Sequence, residues 1–486
     1  MQRVAFLLLC IPLVFSGFAS PARAQSVPIK SIPVAEGDQF LLFPSERGGM
    51  GGVSIALDDR LHDPFENPAK AARLTGVQFL SSPVYYGFGP FNGNEGEGSG
   101  RTLPIGALIN RDGYFGGAML AYQELVPSRN QPCCAWGFID SQDLRSESSI
   151  SMSNLYLFGL GGLEIPGSAW SLGVSAFHGQ LGGMEGVSRL YSAEGVRQDG
   201  TMQQFRAGAY RDWKAGHTAE LVLMLHRFDM THTVREPFWQ GSTFREEHDK
   251  TQSFAMQAGY SHAFATGWNL GGRFAGDWKW HPKIPNYDLM QIPRDPGNSS
   301  AYNIGIGLST TSGAATFGID VIYEPIWSHT WANATEPVET VNGETIQISE
   351  KTVDNQFVFS NARIRMGVFR EGGRVDFSAG VDMHGISYDL DQMNFVENQR
   401  RLLDQHWTEW TFSAGVGTDI SGLQVQYTGR LTLGTGTPTV RGQWGGGTVA
   451  FTNFSADWVV APNGPLTLQE TKILSHQVVL IVPLER

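Results

Sequence analysis

Apolar and polar residues alternate with a period of two along most of the chain. One face of the segment 423–433 carries Leu423, Val425, Tyr427, Leu431 and Leu433, and the other carries glutamine, threonine and arginine side chains. Because successive side chains of a β-strand point to opposite faces, this pattern predicts a strand with one apolar and one polar face. The same alternation recurs at 170–176, 205–209, 254–260, 268–274, 304–308, 315–323, 374–384 and 410–417.

The alternating segments are long, and the connections between them differ in length. Many run for about ten residues, whereas soluble strands average about 5–6 residues. Tight turns join them in pairs at Arg111-Asp112-Gly113, Pro166-Gly167, Ala265-Thr266-Gly267, Ser312-Gly313, Glu371-Gly372-Gly373 and Ser421-Gly422. Long polar connections follow at 124–150, 180–200, 231–249, 281–299, 328–353 and 389–404. Short turns at one end and long loops at the other are typical of outer-membrane barrels.

Aromatic residues near the strand ends support the same fold. They suit the interfacial belts of a membrane barrel and comprise Trp268, Trp278, Trp280, Tyr323, Trp327, Trp331, Trp407 and Trp458. The alternation gives about seventeen strand candidates, and a barrel with both ends in the periplasm needs an even number. We therefore predict an all-β fold, a transmembrane antiparallel β-barrel of about 14 strands, with 16 as the alternative.

The first residues have the pattern of a targeting segment. Arg3 precedes the apolar run 4–18, and Ala22-Arg23-Ala24 fits the small-x-small cleavage rule. No later stretch reaches the about 18 apolar residues of a spanning helix. We predict a signal peptide at 1–24, an N-terminal hatch or plug segment at 25–76 and the barrel at 77–486, with export to the outer membrane of a Gram-negative-type bacterium.

Charge and cysteine content limit the partners. The net charge of −12 and the lack of a basic stripe argue against nucleic acid. We expect the lipid bilayer of the outer membrane as a partner and a hydrophobic small molecule as a second partner. The sequence does not identify protein partners. Cys133 and Cys134 are adjacent, so they form a vicinal disulfide or remain two loop thiols.

Chemistry-bearing motifs are missing from the sequence. It contains no His-Glu-x-x-His, Gly-x-Ser-x-Gly, Cys-x-x-Cys or phosphate-binding glycine loop, so we expect no catalytic residues, no metal and no cofactor. The acidic loop Asn94-Glu95-Gly96-Glu97 reads as solvated rather than as a calcium site.

Charged residues on the polar strand faces are expected to line the lumen, because charge is tolerated there and costly on the lipid side. Arg365, Arg374 and Asp376 flank one turn, and the alternative is that they only pair across adjacent strands. The candidate lumen-facing residues are Arg206, Arg273, Arg363, Arg365, Arg374, Asp376 and Arg430.

Residues 46–74 do not alternate. This stretch reads ERGGMGGVSIALDDRLHDPFENPAKAARL; its glycines permit tight turns, and Pro64 and Pro68 interrupt regular structure. It precedes the first clear strand, 77–86. We predict a compact irregular segment that lies in the lumen as a plug or under the periplasmic mouth of the barrel.

The motif in this segment resembles the N-terminus of the FadL-type outer-membrane transport superfamily, which includes PorV-like barrels. Its members carry a Gly-Met-Gly-Gly start, an Ala-x-x-Asp-Asp middle and an Asn-Pro-Ala end. The matching positions here are Arg47, Gly49, Met50, Gly51, Gly52, Ala56, Asp58, Asp59, Asn67, Pro68 and Ala69. The resemblance implies a 14-stranded barrel with an N-terminal hatch, which would contain this motif, and diffusion of hydrophobic molecules across the outer membrane.

Three functions follow from these patterns and from what the resemblance implies. The first is a passive transporter of hydrophobic small molecules, such as long-chain fatty acids or hydrocarbons, gated by the hatch. The second is a PorV-like docking or structural barrel without transport. The third is a barrel-embedded enzyme, which the lack of catalytic motifs disfavours.

Overall fold

The computed structural model describes residues 43–90, 98–126, 152–183, 195–213, 216–238, 241–281, 297–334, 337–439 and 467–484. The predicted signal peptide, Cys133, Cys134, Trp458 and the acidic loop 94–97 lie outside the described residues. Within the described ranges, no helix has the length and apolar character needed to cross a membrane.

The described chain is almost entirely strand. In chain order its strands are β1 (Gly76–Ser81), β2 (Val84–Pro90), β3 (Gly98–Arg111), β4 (Tyr114–Val126), β5 (Met152–Glu164), β6 (Trp170–Leu181), β7 (Gly195–Trp213), β8 (His217–Phe238), β9 (Gly241–Ala265), β10 (Trp268–His281), β11 (Gly297–Ser312), β12 (Ala315–Asn333), β13 (Val338–Glu339), β14 (Thr345–Ile346), β15 (Lys351–Arg370), β16 (Val375–Asn394), β17 (Gln399–Ile420), β18 (Leu423–Thr439) and β19 (Thr467–Pro483). Helical turns occur before β1, at Gly48–Met50 and Pro68–Arg73 as 3-10 helices and at Asp63–Glu66 as helix α1.

One antiparallel sheet closes on itself to form the barrel. It contains 17 strands, all except the small hairpin β13–β14, and it closes where β19 pairs with β1 and β2. Both β1 and β2 pair with β3 in the same register, so together they make one wall strand that is interrupted at Pro83, which has no N–H to donate. The wall therefore has sixteen strands, the alternative prediction, rather than the favoured fourteen.

The tight turns predicted from the sequence join the strands at one end. Asp112 and Gly113 both have positive φ, 54° and 79°, as do Ser421 and Gly422, at 56° and 89°. Two successive positive φ values are typical of type I′ hairpin turns. We refer to this end as the short-turn end; in outer-membrane barrels it faces the periplasm.

Two connections at the opposite end are shorter than predicted. Residues 231–249 were expected to be a loop, but β8 and β9 run for 22 and 25 residues and leave only 239–240 between them. Likewise, β16 and β17 leave only 395–398 of the predicted loop 389–404. Beyond the bilayer both faces of a strand meet water, so alternation disappears while backbone pairing continues.

The outer surface carries an apolar band. On β8, the outward side chains between His217 and Arg227 are alanine and leucine, and Leu225 is 58% exposed. Ten residues at about 3.3 Å each, tilted by about 40°, span about 25 Å, the height of the apolar band of membrane barrels. The fold is therefore a membrane-spanning barrel of the outer-membrane type, and the predicted inside–outside alternation is confirmed.

Candidate functional site

The N-terminal residues 43–75, which we call the plug, lie inside the barrel near the short-turn end. Wall side chains hold the plug backbone from well-separated strands: Ser413 on β17, Asp320 on β12 and Arg206 on β7. Exposed apolar residues lie next to each of them along the strand and face outward. Since side chains alternate along a strand, these three side chains point inward. The plug therefore contacts the wall on several sides of the lumen.

One side of the plug packs against wall glycines. The 3-10 turn Gly48–Met50 lies on β15, β16 and β17, where a β-carbon added to Gly380 would be 2.2 Å from the carbonyl carbon of Met50. A β-carbon on Gly367 would be 2.2 Å from the Met50 oxygen. Only glycine permits this approach of backbone to backbone. We call Gly367, Gly380 and Gly415 the glycine face.

Hydrogen bonds fix the plug on the glycine face. The Ser413 hydroxyl accepts from the Gly51 N–H at 2.8 Å and donates to the Gly49 carbonyl at 3.0 Å. Gly51 and Gly52 have φ values of 70° and 78°, which L-residues with a β-carbon rarely adopt. The glycines of the Gly-Met-Gly-Gly motif thus serve both the turn and its fit to the wall.

Asp320 anchors the middle of the plug. Its carboxylate accepts from the N–H groups of Ser54 at 2.8 Å and Ile55 at 3.2 Å. On the neighbouring strand β11, the Ser309 hydroxyl donates to the Ala56 carbonyl at 2.7 Å. These bonds satisfy backbone groups of an irregular segment that has no ladder partners of its own.

The other side of the plug is held by buried charges. Lys70 lies 2.9 Å from Glu220 on β8 and 3.4 Å from Asp63 of the plug, and all three side chains are less than a tenth exposed. Arg273 on β10 lies 3.6 Å from Glu220 and 3.8 Å from Glu66 of the plug. We call these five residues the charge cluster. Glu220 is its centre, because it pairs with one cation from the plug and one from the wall.

Arg206 and Arg73 extend the charge cluster. The Arg206 guanidinium donates to the carbonyls of Phe65 at 2.7 Å and Glu66 at 2.8 Å. Arg73 lies 2.8 Å from Asp58 and 3.4 Å from Asp63. Each charged side chain named here therefore has a partner on the opposing surface or within the plug, which a buried ionic interface needs.

Plug carboxylates titrate differently according to their surroundings. Burial raises the pKa of Asp63 to about 7; Lys70 counteracts this shift, and the Asp58 carboxylate adds to it. Burial also disfavours the charged form of Asp58, but the Arg73 guanidinium outweighs it and holds the pKa of Asp58 below its usual value. Burial acts on Glu66 in the same way, yet the His62 hydrogen bond and Arg273 keep its pKa well below the usual range.

The Asn-Pro-Ala motif packs against the inner face of the neighbouring strands β6 and β7. The Asn67 side chain caps the following 3-10 helix by accepting from the Ala69 N–H at 3.1 Å. Its amide group donates to the Ala209 carbonyl at 3.3 Å and to Glu220 at 3.4 Å. A β-carbon on Gly208 would be 2.1 Å from the Asn67 oxygen, so this wall glycine makes room for the asparagine.

The acidic pair of the motif has separate roles. Asp59 organises the plug internally: it accepts from the Ser45 hydroxyl at 2.5 Å and from the N–H groups of Arg47 at 3.2 Å and His62 at 3.0 Å. Asp58 instead pairs with Arg73. The residues of the motif therefore build the plug and attach it to the wall.

Above the plug, much of the lumen wall from β1 to β8 is apolar. Phe43 of the plug stacks on Phe65 at a ring-centroid distance of 4.4 Å and touches Phe158 and Phe177 on the wall. We call this set the apolar lumen cluster. Its buried members are Phe65, Ala71, Leu74, Leu80, Leu108, Phe115, Met119, Ala121, Tyr156, Phe158, Leu160, Phe177, Leu181, Met202, Phe228 and Met230.

The opposite wall carries an ionic group above the glycine face. Arg363 and Arg365 lie 3.5 Å and 3.4 Å from Asp382, and His384 lies 3.1 Å from Glu324. Arg365 also donates to the Gly52 carbonyl of the plug at 3.2 Å. Arg365 therefore pairs with Asp382 across adjacent strands, which was the alternative to a lumen role, and it also contacts the plug.

Most predicted lumen-facing residues lie on the inner wall. Arg430 lies beside Gly48, and Asp376 lies at the short-turn mouth, where it accepts from the Gly372 N–H at 3.0 Å. Those on inward strand positions are Arg206, Arg273, Arg363, Arg365, Asp376 and Arg430.

The Arg374 side chain does not line the lumen. The turn after β15 extends through residue 374, because β16 begins only at Val375. Arg374 is exposed at the edge of the barrel, and its backbone carbonyl accepts from the Thr418 hydroxyl. The sequence pattern placed it one position too far into the strand.

Sequence reasoning missed the centre of the charge cluster. Glu220 occupies an inward position of β8, but the next inward positions are Val222 and Met224, and the outward ones are leucines. A strand that is apolar on both faces shows no alternation, so its one inward carboxylate did not stand out. Asp63 and Lys70 belong to the irregular segment and gave no signal by periodicity.

Below the plug, a cavity of about 610 Å³ opens at the short-turn end. Its charged lining includes Glu46, Arg47, Asp58, Arg60 and Asp212. In the described part of the chain, no group of three or more histidine, cysteine or acidic side chains is placed to hold a metal ion.

No family model and no curated protein matched this sequence. Among solved structures, a FadL homologue from Pseudomonas aeruginosa has 10% identity and a TM-score of 0.43, over 91% of this chain and 99% of its own. This chain is similar to FadL-type barrels. The Pseudomonas putida toluene transporter TodX has 10% identity and a TM-score of 0.39, over 89% and 96%. The Neisseria meningitidis iron transporter FrpB has 7% identity and a TM-score of 0.35, over 85% and 83%. Because these TM-scores are below 0.5, we infer function from this chain's own contacts.

Proposed function

We propose that this protein is a passive outer-membrane channel for hydrophobic small molecules, exported by its N-terminal segment 1–24 and closed at the short-turn end by the plug. The observation that carries the proposal is the apolar lumen cluster, which joins the inner wall to Phe65 of a plug held by non-covalent contacts. Porins that pass hydrophilic solutes have polar, water-filled interiors. Phe43, Phe65, Phe158 and Phe177 instead pack on one another, and an apolar molecule that takes the place of Phe65 would gain about 25 cal/mol per Å² buried against the remaining rings.

The mechanism follows from the position of the plug. An apolar molecule enters the lumen from the loop side and rests on the apolar lumen cluster. Phe65 of α1 belongs to this cluster, while its neighbour Glu66 belongs to the charge cluster. A molecule that displaces Phe65 therefore weakens the contacts of Glu66 with the wall. The plug then moves from the mouth, and the molecule leaves through the cavity at the short-turn end.

Efflux from liposomes tests this proposal. We expect the wild-type barrel to pass a fatty acid and an aromatic hydrocarbon but to retain a sugar of similar size. Deletion of residues 48–69 should raise the flux of all three probes, because it removes the closure and the specificity together. A folded deletion variant with unchanged flux of every probe would rule out the plug as a gate.

One observation favours a docking barrel as the second candidate. Strands β8 and β9 continue for 22 and 25 residues, well beyond the apolar band, and β8 also pairs with β7 as far as Arg235. Within the described residues, β9 pairs with β10 only from Gln252 onward, so its earlier part offers a strand edge for a protein partner. Two results together would support this candidate. An envelope protein should co-purify stably with the wild type but not with a variant in which residues 231–249 are shortened, and the wild type should pass none of the probes.

A further inference from the structure

A cation lies on the outward face of the barrel, away from the plug. Arg211 is on β7 near the short-turn end. It lies on the same outward face of the strand as Phe205, which is 55% exposed. Two tryptophans of the same face enclose it. The guanidinium carbon lies 4.3 Å from the ring centroid of Trp213 and 5.3 Å from that of Trp170.

This arginine has no acidic partner within the described ranges. Its guanidinium makes no ion pair and donates no hydrogen bond there, and its Nε is buried without an acceptor. By contrast, the outward Arg101 lies 2.6 Å from Glu124 and the outward Arg227 lies 3.4 Å from Asp229, both toward the loop end. Arg211 therefore keeps donors for an anion that the chain itself does not supply.

The surroundings of Arg211 are those of a membrane interface. Trp213 pairs across the strands with His217, whose ring stacks on His262 at 4.2 Å and bonds to the Tyr260 hydroxyl at 2.8 Å. Directly beyond this aromatic border, β8 begins its row of outward leucines. Tryptophan, tyrosine and histidine rings at such a border lie at the level of the lipid headgroups.

The lipid phosphate is the anion that this level supplies. A guanidinium recognises phosphate oxygens through its planar fork of donors, and stacking between two rings fixes the plane of that fork in advance. We propose that Arg211, held between Trp170 and Trp213, binds the headgroup phosphate of a phospholipid in the leaflet at the short-turn end. The bound lipid would then belong to the barrel surface rather than to the bulk bilayer.

Native mass spectrometry of the detergent-purified, full-length barrel tests the site with phosphatidylglycerol as the probe. We expect Arg211→Gln to lower the retained lipid by about fivefold, the effect of losing about 1 kcal/mol of attraction per basic residue at a membrane surface. Arg211→Lys should recover only part, because an ammonium lacks the planar fork. Arg227→Gln, on the same outer surface but at the loop end, should bind lipid as the wild type does.

Three results would overturn the proposal. The first is that Arg211→Gln and the wild type retain equal amounts of lipid. The second is that Arg227→Gln loses as much lipid as Arg211→Gln does. The third is that the wild-type barrel binds inorganic phosphate but retains no lipid. The heat-induced mobility shift of folded barrels verifies each variant. If Arg211→Gln does not fold, Trp213→Leu keeps the charge and removes one ring, and lipid retention should fall by about twofold or more. Unchanged retention in that variant would also contradict the site.

Discussion

The two sides of the plug are attached to the barrel by different physical means. On the glycine face, the turn Gly48–Met50 touches backbone with backbone, and Gly380 leaves no room for a β-carbon. On the other side, the charge cluster joins Lys70 to Glu220 at 2.9 Å, and it adds to a similar backbone fit at Gly173 on β6, where a β-carbon would be 2.6 Å from the carbonyl carbon of Pro68. One attachment depends on shape, and the other depends on shape and on charge.

The two attachments therefore respond differently to pH, to salt and to substitutions. A steric fit depends little on pH or salt, but it fails when atoms are added. A buried ionic contact tolerates small changes in shape, but it fails when one charge is removed, because its partner is left buried and uncompensated. The plug can therefore be loosened on either side separately, and the following variants test that division.

The largest effect is expected from Glu220→Gln. It removes the shared partner of Lys70 and Arg273, and breaking a buried pair costs about 3–5 kcal/mol. Plug docking should weaken by that order, which is measured as increased ion conductance in planar bilayers and as proteolysis within residues 43–75. The control is Glu124→Gln, which breaks the exposed pair with Arg101 and should leave both readouts unchanged.

Gly380→Ala should have the next largest effect. The added methyl would lie 2.2 Å from the carbonyl carbon of Met50, and overpacking against backbone costs about 1–3 kcal/mol. This variant should conduct more at every salt concentration, because a steric fit depends little on salt. Gly385→Ala on the same strand is the control, because its methyl would meet only the Ala362 oxygen at 3.6 Å. Equal conductance of the two alanine variants would contradict the tight fit.

A pH dependence is expected on the charged side. Burial raises the pKa of Asp63 to about 7, above the ordinary value of 3.8, so the docked plug binds this proton more strongly than the released plug. The contribution of Asp63 to docking is thus complete below about pH 4 and is lost as the pH rises to about 7. The pKa of His62 is also raised: burial opposes the shift, but its hydrogen bond to Glu66 outweighs burial, so His62 acts in the same direction.

Conductance measured between about pH 5 and pH 8 tests this dependence. We expect the plug to close more firmly at the acidic end, while Asp63→Asn should flatten the response and leave the shares of His62 and of Glu46, whose pKa burial also raises. Carboxylates with lowered pKa values, Asp58 and Glu66, lose their contribution only at lower pH and do not interfere. A wild-type barrel that opens on acidification would show that the sign is wrong.

Ser413→Ala should have the smallest effect. It removes one bond accepted from Gly51 and one donated to Gly49, and each is worth about 1 kcal/mol. We expect a few-fold rise in proteolysis within Gly48–Gly52 and little change at the charge cluster. Ser360→Ala, on an outward and exposed position of β15, is the matched control. Cleavage that rises equally at both ends of the plug would contradict two separate attachments.

Part of the site could be predicted from the sequence. Arg206 and Arg273 were expected in the lumen because they occupy polar positions of alternating strands, and they contact the plug. The segment 46–74 was expected to be a plug because it lacks alternation before a long series of strands. Neither pattern indicated which plug residue meets which wall residue, and Glu220 stayed hidden in a strand that is apolar on both faces.

The sequence by itself determined the barrel, its inner and outer faces and the tight turns, because each depends on neighbouring residues and on the two-residue repeat of a strand. The tertiary structure decided the strand number and the attachment of the plug. Ser413 bonds to Gly51 across 362 positions, and Glu220 meets Lys70 only after the sheet has closed. Such contacts depend on strand register and on closure of the whole wall, which no local pattern specifies.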